Sequence, residues 1–190
     1  MNIATIHCKN VKCYLLPSSE GWFLFDAAWP HQYSLFRDSV KALGIRMKDI
    51  KRFVVSHFHI DHAGLAGMFM ANGMEFTVFE NQTAHLDEME ALIERKGYPY
   101  TKIKKPSLQN MNLSESRAWL RSLGIEGVII QIFGHGDHSI ALVLDSGDVL
   151  IGDLPVEYHY DDLVKADWDR LYSLGGRTFF PAHAEGFSLD

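Results

Sequence analysis

Two cysteines in 190 residues, Cys8 and Cys13, are too few for a disulfide framework, and their spacing is not that of a zinc knuckle. Both fall in a strand-like stretch and read as buried free thiols, which fits a reducing compartment. The chain has no run of about 18 apolar residues, so no segment is expected to span a membrane. The N-terminus, MNIATIHCKNVKCYLLP, has no unbroken apolar stretch and no small-residue cleavage site. No signal peptide is therefore read, and a cytoplasmic location is expected. Positive charge is also short: 18 Lys and Arg against 24 Asp and Glu leave a net charge of -6. That balance gives no electrostatic reason to bind nucleic acid or an anionic membrane. The small cluster Lys102, Lys104 and Lys105 reads as a solvated loop. Internal repeats and low-complexity segments are missing as well.

What remains is ordinary globular composition, 47% hydrophobic and 22% charged. One domain over residues 1–190 is expected, large enough for a core without disulfide staples. Apolar runs predict strands at 11–17, 22–26, 53–56, 74–79, 127–133, 140–144, 149–151 and 178–180. The turn Asp145-Ser146-Gly147-Asp148 predicts a hairpin between the sixth and seventh of these. Helical spacing predicts helices over 34–43, 63–71, 82–96, 114–123 and 163–174, most of them stopped by glycine. The stretch 97–112, with Pro99 and Pro106, reads as a loop. Strands alternating with helices indicate an α/β chain.

Ten histidines are many for this length, and their placement matters more than their number. Residues 56–62 read Ser-His-Phe-His-Ile-Asp-His, directly after an apolar strand. Imidazole and carboxylate donors suit zinc, manganese or iron. His57 and His59 are two apart and point the same way in extended backbone. Asp61 and His62 are adjacent, and a tight turn aims both at a neighbouring point, which suits two metals rather than one. Further donors follow other strands: His135 and His138 after 127–133, Asp153 after 149–151, and His183 after 178–180. Ligand-type residues at the ends of four separate strands are what a metal cleft at a sheet edge needs.

This pattern resembles the metallo-β-lactamase superfamily over nearly the whole chain. Residues 57–62 match its HxHxDH signature. Asp26 at a strand end, the glycine-preceded His135, Gly152-Asp153 and His183 follow in the family's order. The resemblance implies an αββα sandwich, two packed sheets with helices on the outer faces and the metal site at one edge. It also implies a ligand set: His57, His59 and His135 for the first metal, Asp61, His62 and His183 for the second, and Asp153 bridging both. His135 is preferred to His138, which then sits beside the site or faces substrate. Asp137 is expected to hydrogen-bond a ligand ring. The family often has Asp-x-Gly where this chain has Asp26-Ala27-Ala28, a departure expected to alter the local turn.

The chemistry expected of such a centre is hydrolysis by a metal-activated hydroxide, with two divalent ions, zinc or alternatively iron or manganese. Asp61 is the candidate catalytic residue, binding metal and orienting or receiving a proton, as the family implies. There is no Gly-x-Ser-x-Gly elbow and no Cys–His arrangement for covalent catalysis. A small ester, thioester, lactone or related molecule is the expected substrate. Trp29, His31, Tyr158, His159 and Tyr160 are candidates to line its pocket, and the stretch 82–123 reads either as a cover over the cleft or as plain packing. Two other functions stay open, a mononuclear iron sulfur dioxygenase of the same fold and a non-catalytic metal-binding or ligand-sensing protein. The oligomeric state is not legible.

Overall fold

The computed structural model describes residues 2–156 and 161–189. Ala4–Cys8 (β1), Val11–Ser18 (β2) and Gly21–Phe25 (β3) form an antiparallel meander. Ile50–Val54 (β4), Glu75–Phe79 (β5) and Gln109–Met111 (β6) add to it in parallel, giving a six-stranded sheet in the order β1-β2-β3-β4-β5-β6. The second sheet holds Gly127–Ile132 (β7), Ser139–Leu144 (β8), Asp148–Gly152 (β9), Thr178–Pro181 (β10) and Phe187–Ser188 (β11). Its order is β11-β10-β9-β8-β7, and β8 and β9 form the predicted hairpin.

Alternation along the strands explains why two sheets stack. In β2, Tyr14 and Leu16 face the second sheet, while Cys13 and Leu15 face the opposite way. In β3, Phe23 and Phe25 point inward and Leu24 outward. In β8, Ile140, Leu142 and Leu144 point inward, Ala141 and Val143 outward. Both faces are therefore apolar, and each outer face needs a cover.

Helices supply it. Tyr33–Ala42 (α1), Ile60–Ala63 (α2), Ala66–Ala71 (α3) and Leu86–Lys96 (α4) bury Phe36, Val40, Phe69, Met89 and Ile93 on the outer face of the first sheet. Ser116–Ser122 (α5) instead adds Leu120 to the central layer, closing one flank beside β7. Asp162–Ser173 (α6) buries Val164, Trp168 and Leu171 on the outer face of the second sheet. The architecture is the expected αββα sandwich. Among the described residues, no helix is long and apolar enough to cross a membrane.

Four local expectations change. The helix predicted over 63–71 begins at Ile60 and breaks after Ala63. Gly64 and Leu65 give their amides to the carbonyls of Ala28 and Ala27, and a Cβ on Gly64 would meet Pro30 at 2.4 Å. The helix predicted from 82 starts as a 3-10 turn, Thr83–His85. The loop read over 97–112 contains β6, whose residues Gln109-Asn110-Met111 have no apolar alternation and pair through backbone alone on the edge of β5. Lys105 of the lysine cluster ion-pairs with Asp87, and Ile103 between the lysines is buried.

Candidate metal centre

The centre lies where strands from both sheets end. After β4 the chain alternates for a few more residues. Phe58 and Ile60 enter the core, while His57 and His59 turn to the opposite side, as their spacing requires. The α2 turn then begins, with the His62 and Ala63 amides donating to the His59 carbonyl. That turn places Asp61 and His62 next to the first pair. β7 leads to His135, β9 to Asp153 and β10 to His183.

Two donor groups result. His135 Nε2 lies 3.1 Å from His57 Nε2 and 3.2 Å from His59 Nδ1. Asp153 Oδ2 lies 3.7 Å from His135 Nε2 and 3.9 Å from His57 Nε2. On the other side, His183 Nε2 is 3.1 Å from Asp61 Oδ2, and His62 Nε2 is 3.8 Å from the same oxygen. Asp153 Oδ1 reaches this group too, at 3.2 Å from His62 Nε2 and 3.3 Å from His183 Nε2. One Asp153 oxygen thus faces each group. The structure brings together all seven residues singled out in the sequence.

The donors fit divalent cations. His62 Nε2 and Asp153 Oδ1 are buried and face each other at 3.2 Å, yet neither makes a well-formed hydrogen bond. Such orphaned atoms are costly unless something else binds them. Burial and the neighbouring imidazoles push His57 well below its ordinary pKa. Burial likewise lowers His59 and His135, so all three rings present neutral lone pairs at pH 7.

A ring of supports fixes these donors. Asp26 is fully buried, with Oδ1 accepting the Ser56 amide at 2.6 Å. Its Oδ2 lies 3.1 Å from Ser56 Oγ and 3.0 Å from His62 Nδ1. Ser56 Oγ also meets His57 Nδ1 at 2.9 Å. Assigning protons to His57 Nδ1 and His62 Nδ1 satisfies this chain and leaves both Nε2 atoms free for a cation. His183 Nδ1 is fixed by the Asn10 carbonyl at 2.5 Å, in the turn between β1 and β2. The Asn10 side chain in turn accepts the Trp29 indole N–H. Gly152 lets β9 approach Ser56, because its φ is +54° and a Cβ there would stand 2.6 Å from the Ser56 Cβ.

Sequence reading missed three supports. Gln82 is buried, and its amide donates to Val55 O at 2.9 Å and His138 O at 3.3 Å, tying two site loops together. Asp167 of α6 accepts the Phe133 and Gly134 amides at 2.6 and 2.7 Å, just before His135. Asn10 is the third. Each is one polar residue far away in the chain, with no local pattern to mark it.

Other expectations are corrected. Asp137 does not reach a ring of the seven; its Oδ1 stands 3.5 Å from both His85 Nε2 and His138 Nδ1. His138 sits beside the site, its ring 5.8 Å from that of His59 and stacked on His85. Ala28 takes a left-handed conformation despite its Cβ, with φ 44°, and Asp26 itself has φ 74°. Trp29 and His31 gather with Tyr98 in a separate aromatic cluster. Tyr158, His159 and Tyr160 lie outside the described residues. Of the segment 82–123, Gln82, His85 and the α4 residues Glu88, Met89 and Leu92 border the site beside His59, while Ile93 and Leu120 pack into the core.

The model of the metallo-beta-lactamase superfamily matches residues 8–154. The chain belongs to that superfamily. The match includes six of the seven donors, and the superfamily fold extends past it through β10 to His183. Solved superfamily structures superpose over almost the entire chain. A metallo-beta-lactamase family protein from Thermus thermophilus has a TM-score of 0.68 at 21% identity, covering 98% of this chain and 74% of its own. The protein TTHA1623, solved in a di-iron-bound form, has a TM-score of 0.71 at 19% identity, covering 99% and 94%. A beta-lactamase from Chitinophaga pinensis has a TM-score of 0.67 at 19% identity, covering 96% and 76%.

One pH dependence follows from His62. Burial opposes its charge, but Asp26 and Asp153 outweigh burial and raise its pKa to about 10 in the metal-free protein. Its unfolded value is about 6.5. The bound proton therefore stabilises the fold fully below pH ~6.5, and that contribution is lost as pH rises through about 10. Urea unfolding of chelator-treated protein should show stability falling across this window, with a shallower fall in His62→Gln. Equal slopes in the two proteins would contradict the assignment.

Proposed function

We propose that this protein is a dinuclear metal-dependent hydrolase acting on a small ester, thioester, lactone or related molecule. The observation that carries this reading is the placement of Asp153, one oxygen toward each of two donor groups. His57, His59 and His135 would hold the first cation, Asp61, His62 and His183 the second, and Asp153 would offset the repulsion between them. Bound divalent cations lower the pKa of water to about 7 and polarise a substrate carbonyl.

The chain's own residues do the rest. Burial opposes ionisation of Asp61, but His183 and His62 outweigh it and hold the carboxyl below its ordinary pKa. Asp61 is therefore ionised at neutral pH, the form that binds a divalent cation and can orient water by accepting its hydrogen bond. Ser56 Oγ is committed to Asp26 and His57, and the buried thiols of Cys8 and Cys13 lie in the outer core. Neither offers a nucleophile, which supports direct attack by water. Beside His183, Leu154, Pro155 and Pro181 line an apolar pocket of about 250 Å³, of a size for small-molecule substituents.

Zinc is the proposed occupant. The di-iron form of TTHA1623 makes iron the comparison to run in elemental analysis. The test is metal content and turnover of an ester, thioester and lactone panel, for the native protein and His59→Ala. The native protein should hold two equivalents and hydrolyse at least one class. His59→Ala should lose one equivalent and at least about 100-fold in kcat/KM, roughly 2.7 kcal/mol of transition-state stabilisation. Unchanged stoichiometry and turnover in the variant would refute the reading, and two bound metals without any turnover would favour a sensor.

A further inference from the structure

A second pocket, of about 220 Å³, opens on the opposite flank, beside His59. Phe58, Met89 and Leu92 give it apolar walls, His59, His85 and His138 add imidazoles, and the largely exposed Glu88 carboxylate stands at its rim, 3.6 Å from His85 Nδ1. The His85 and His138 imidazoles stack with centroids 4.1 Å apart and planes inclined by 19°. Together with Asp137 they form a compact donor trio, all three atoms within 4.8 Å. Stacking argues against a third cation there. An imidazole binds a metal in its own ring plane, and two stacked rings direct their lone pairs side by side rather than at one point.

The same features suit a flat organic group. Apolar cavities of about 150 Å³ hold a benzene molecule, so this pocket has room for one ring and a short linker. Its walls combine a phenyl ring, three imidazoles and the Met89 thioether, and aromatic and sulfur–aromatic contacts add to simple apolar burial. His138 Nδ1 is buried and makes no close hydrogen bond, the Asp137 carboxylate standing 3.5 Å away. The pocket includes His59, placing its contents next to any bond cleaved over the cations.

Resting on the hydrolase reading above, we propose that this pocket binds a single aromatic ring of the substrate, joined by a short linker to the group that is hydrolysed. Leu92, partly buried on α4, is the residue whose enlargement fills the pocket from the side away from the donors.

The experiment uses the full zinc-loaded chain and two readouts. In the first, phenylacetate, which cannot be hydrolysed, is titrated while the imidazole carbon-bound proton signals of His85 and His138 are followed by NMR. Both signals should shift in the native protein and stay still in Leu92→Trp. In the second, phenylacetyl, hexanoyl and acetyl thioesters of one thiol are compared. The native protein should favour phenylacetyl over acetyl by roughly 10–100-fold in kcat/KM, the worth of burying one ring, and Leu92→Trp should reduce that ratio at least about 5-fold. Shifts confined to Leu154 and Val156 in the native protein would overturn the proposal. So would a preference unchanged in Leu92→Trp, or hexanoyl favoured as strongly as phenylacetyl. If no thioester or ester is turned over, the hydrolase reading fails, and the titration alone still decides whether a ring enters the pocket.

Discussion

Asp26→Ala should cost the metal-free protein about 3–5 kcal/mol, the usual loss when one partner of a buried charged pair is removed. Asp26 is fully buried and sits beside three partners, the Ser56 amide, Ser56 Oγ and His62 Nδ1. Alanine leaves the Ser56 amide buried without its acceptor and His62 Nδ1 with only the neutral Ser56 Oγ, 3.2 Å away, in place of a carboxylate. The backbone adds to this, since φ at Asp26 is 74°, a conformation that aspartate and asparagine tolerate better than alanine. Asp26→Asn keeps that tolerance and one carbonyl acceptor, and should lose about half as much. Urea unfolding with chelator present measures both. Metal affinity should fall about 10–100-fold, chiefly for the second cation, because His62 loses the partner that fixes its ring. A loss for Asp26→Ala under about 1 kcal/mol would mean that Ser56 and His62 find other partners.

The same contacts show why the site was legible and its supports were not. The seven donors follow apolar runs whose strand character is plain, and their order along the chain matches the superfamily. The fact that the strands end at one edge was implied by that resemblance rather than by any local pattern. His57 and His59 share a side because Phe58 and Ile60 belong to the core, a period-2 rule visible in the residues themselves. Asp61 and His62 were expected in a tight turn, and the turn proves to be the start of α2. β6 escaped notice because its backbone alone makes the pairing, and β11 because two residues carry no periodicity. Asp137 was misassigned for a related reason: two positions from His135 it is near in sequence, yet the chain turns its carboxylate toward His85. Gln82, Asn10 and Asp167 act across the fold, where nothing in the neighbouring sequence distinguishes them from surface polar residues. Ala28 shows the converse. Its departure from the family's glycine was visible, but the left-handed conformation that Ala28 adopts was not; the Ala27 and Ala28 carbonyls hold it by accepting the Leu65 and Gly64 amides.

Asp167→Ala should strike the opposite half of the centre. One carboxylate oxygen on α6 accepts two consecutive amides, Phe133 at 2.6 Å and Gly134 at 2.7 Å, and Asp167 is only 3% exposed. Gly134 must be glycine for this contact, since a Cβ would meet Val164 of the same helix at 2.7 Å. α6 thereby fixes the last two residues before His135, although it packs on the outer face of the second sheet, away from the cleft. Removing the carboxylate leaves two part-buried amides without an acceptor, a loss of about 2–4 kcal/mol. His135 then rides on a loosened loop, and first-cation affinity should fall about 10–100-fold while the second cation, held from α2 and the loop after β10, is affected less. Asp167→Asn retains an acceptor oxygen and should restore most of both. Stepwise titration with cobalt(II), whose absorption reports coordination at each site, separates the two affinities, and urea unfolding supplies the stability. Lost stability with an unchanged first affinity would show that Asp167 only anchors α6. Because Asp26 and Asp167 share no partner, their stability losses should add within about 0.5 kcal/mol in the double variant, while Asp26→Ala weakens chiefly the second cation, with a smaller effect on the first through Ser56 and His57, and Asp167→Ala chiefly the first.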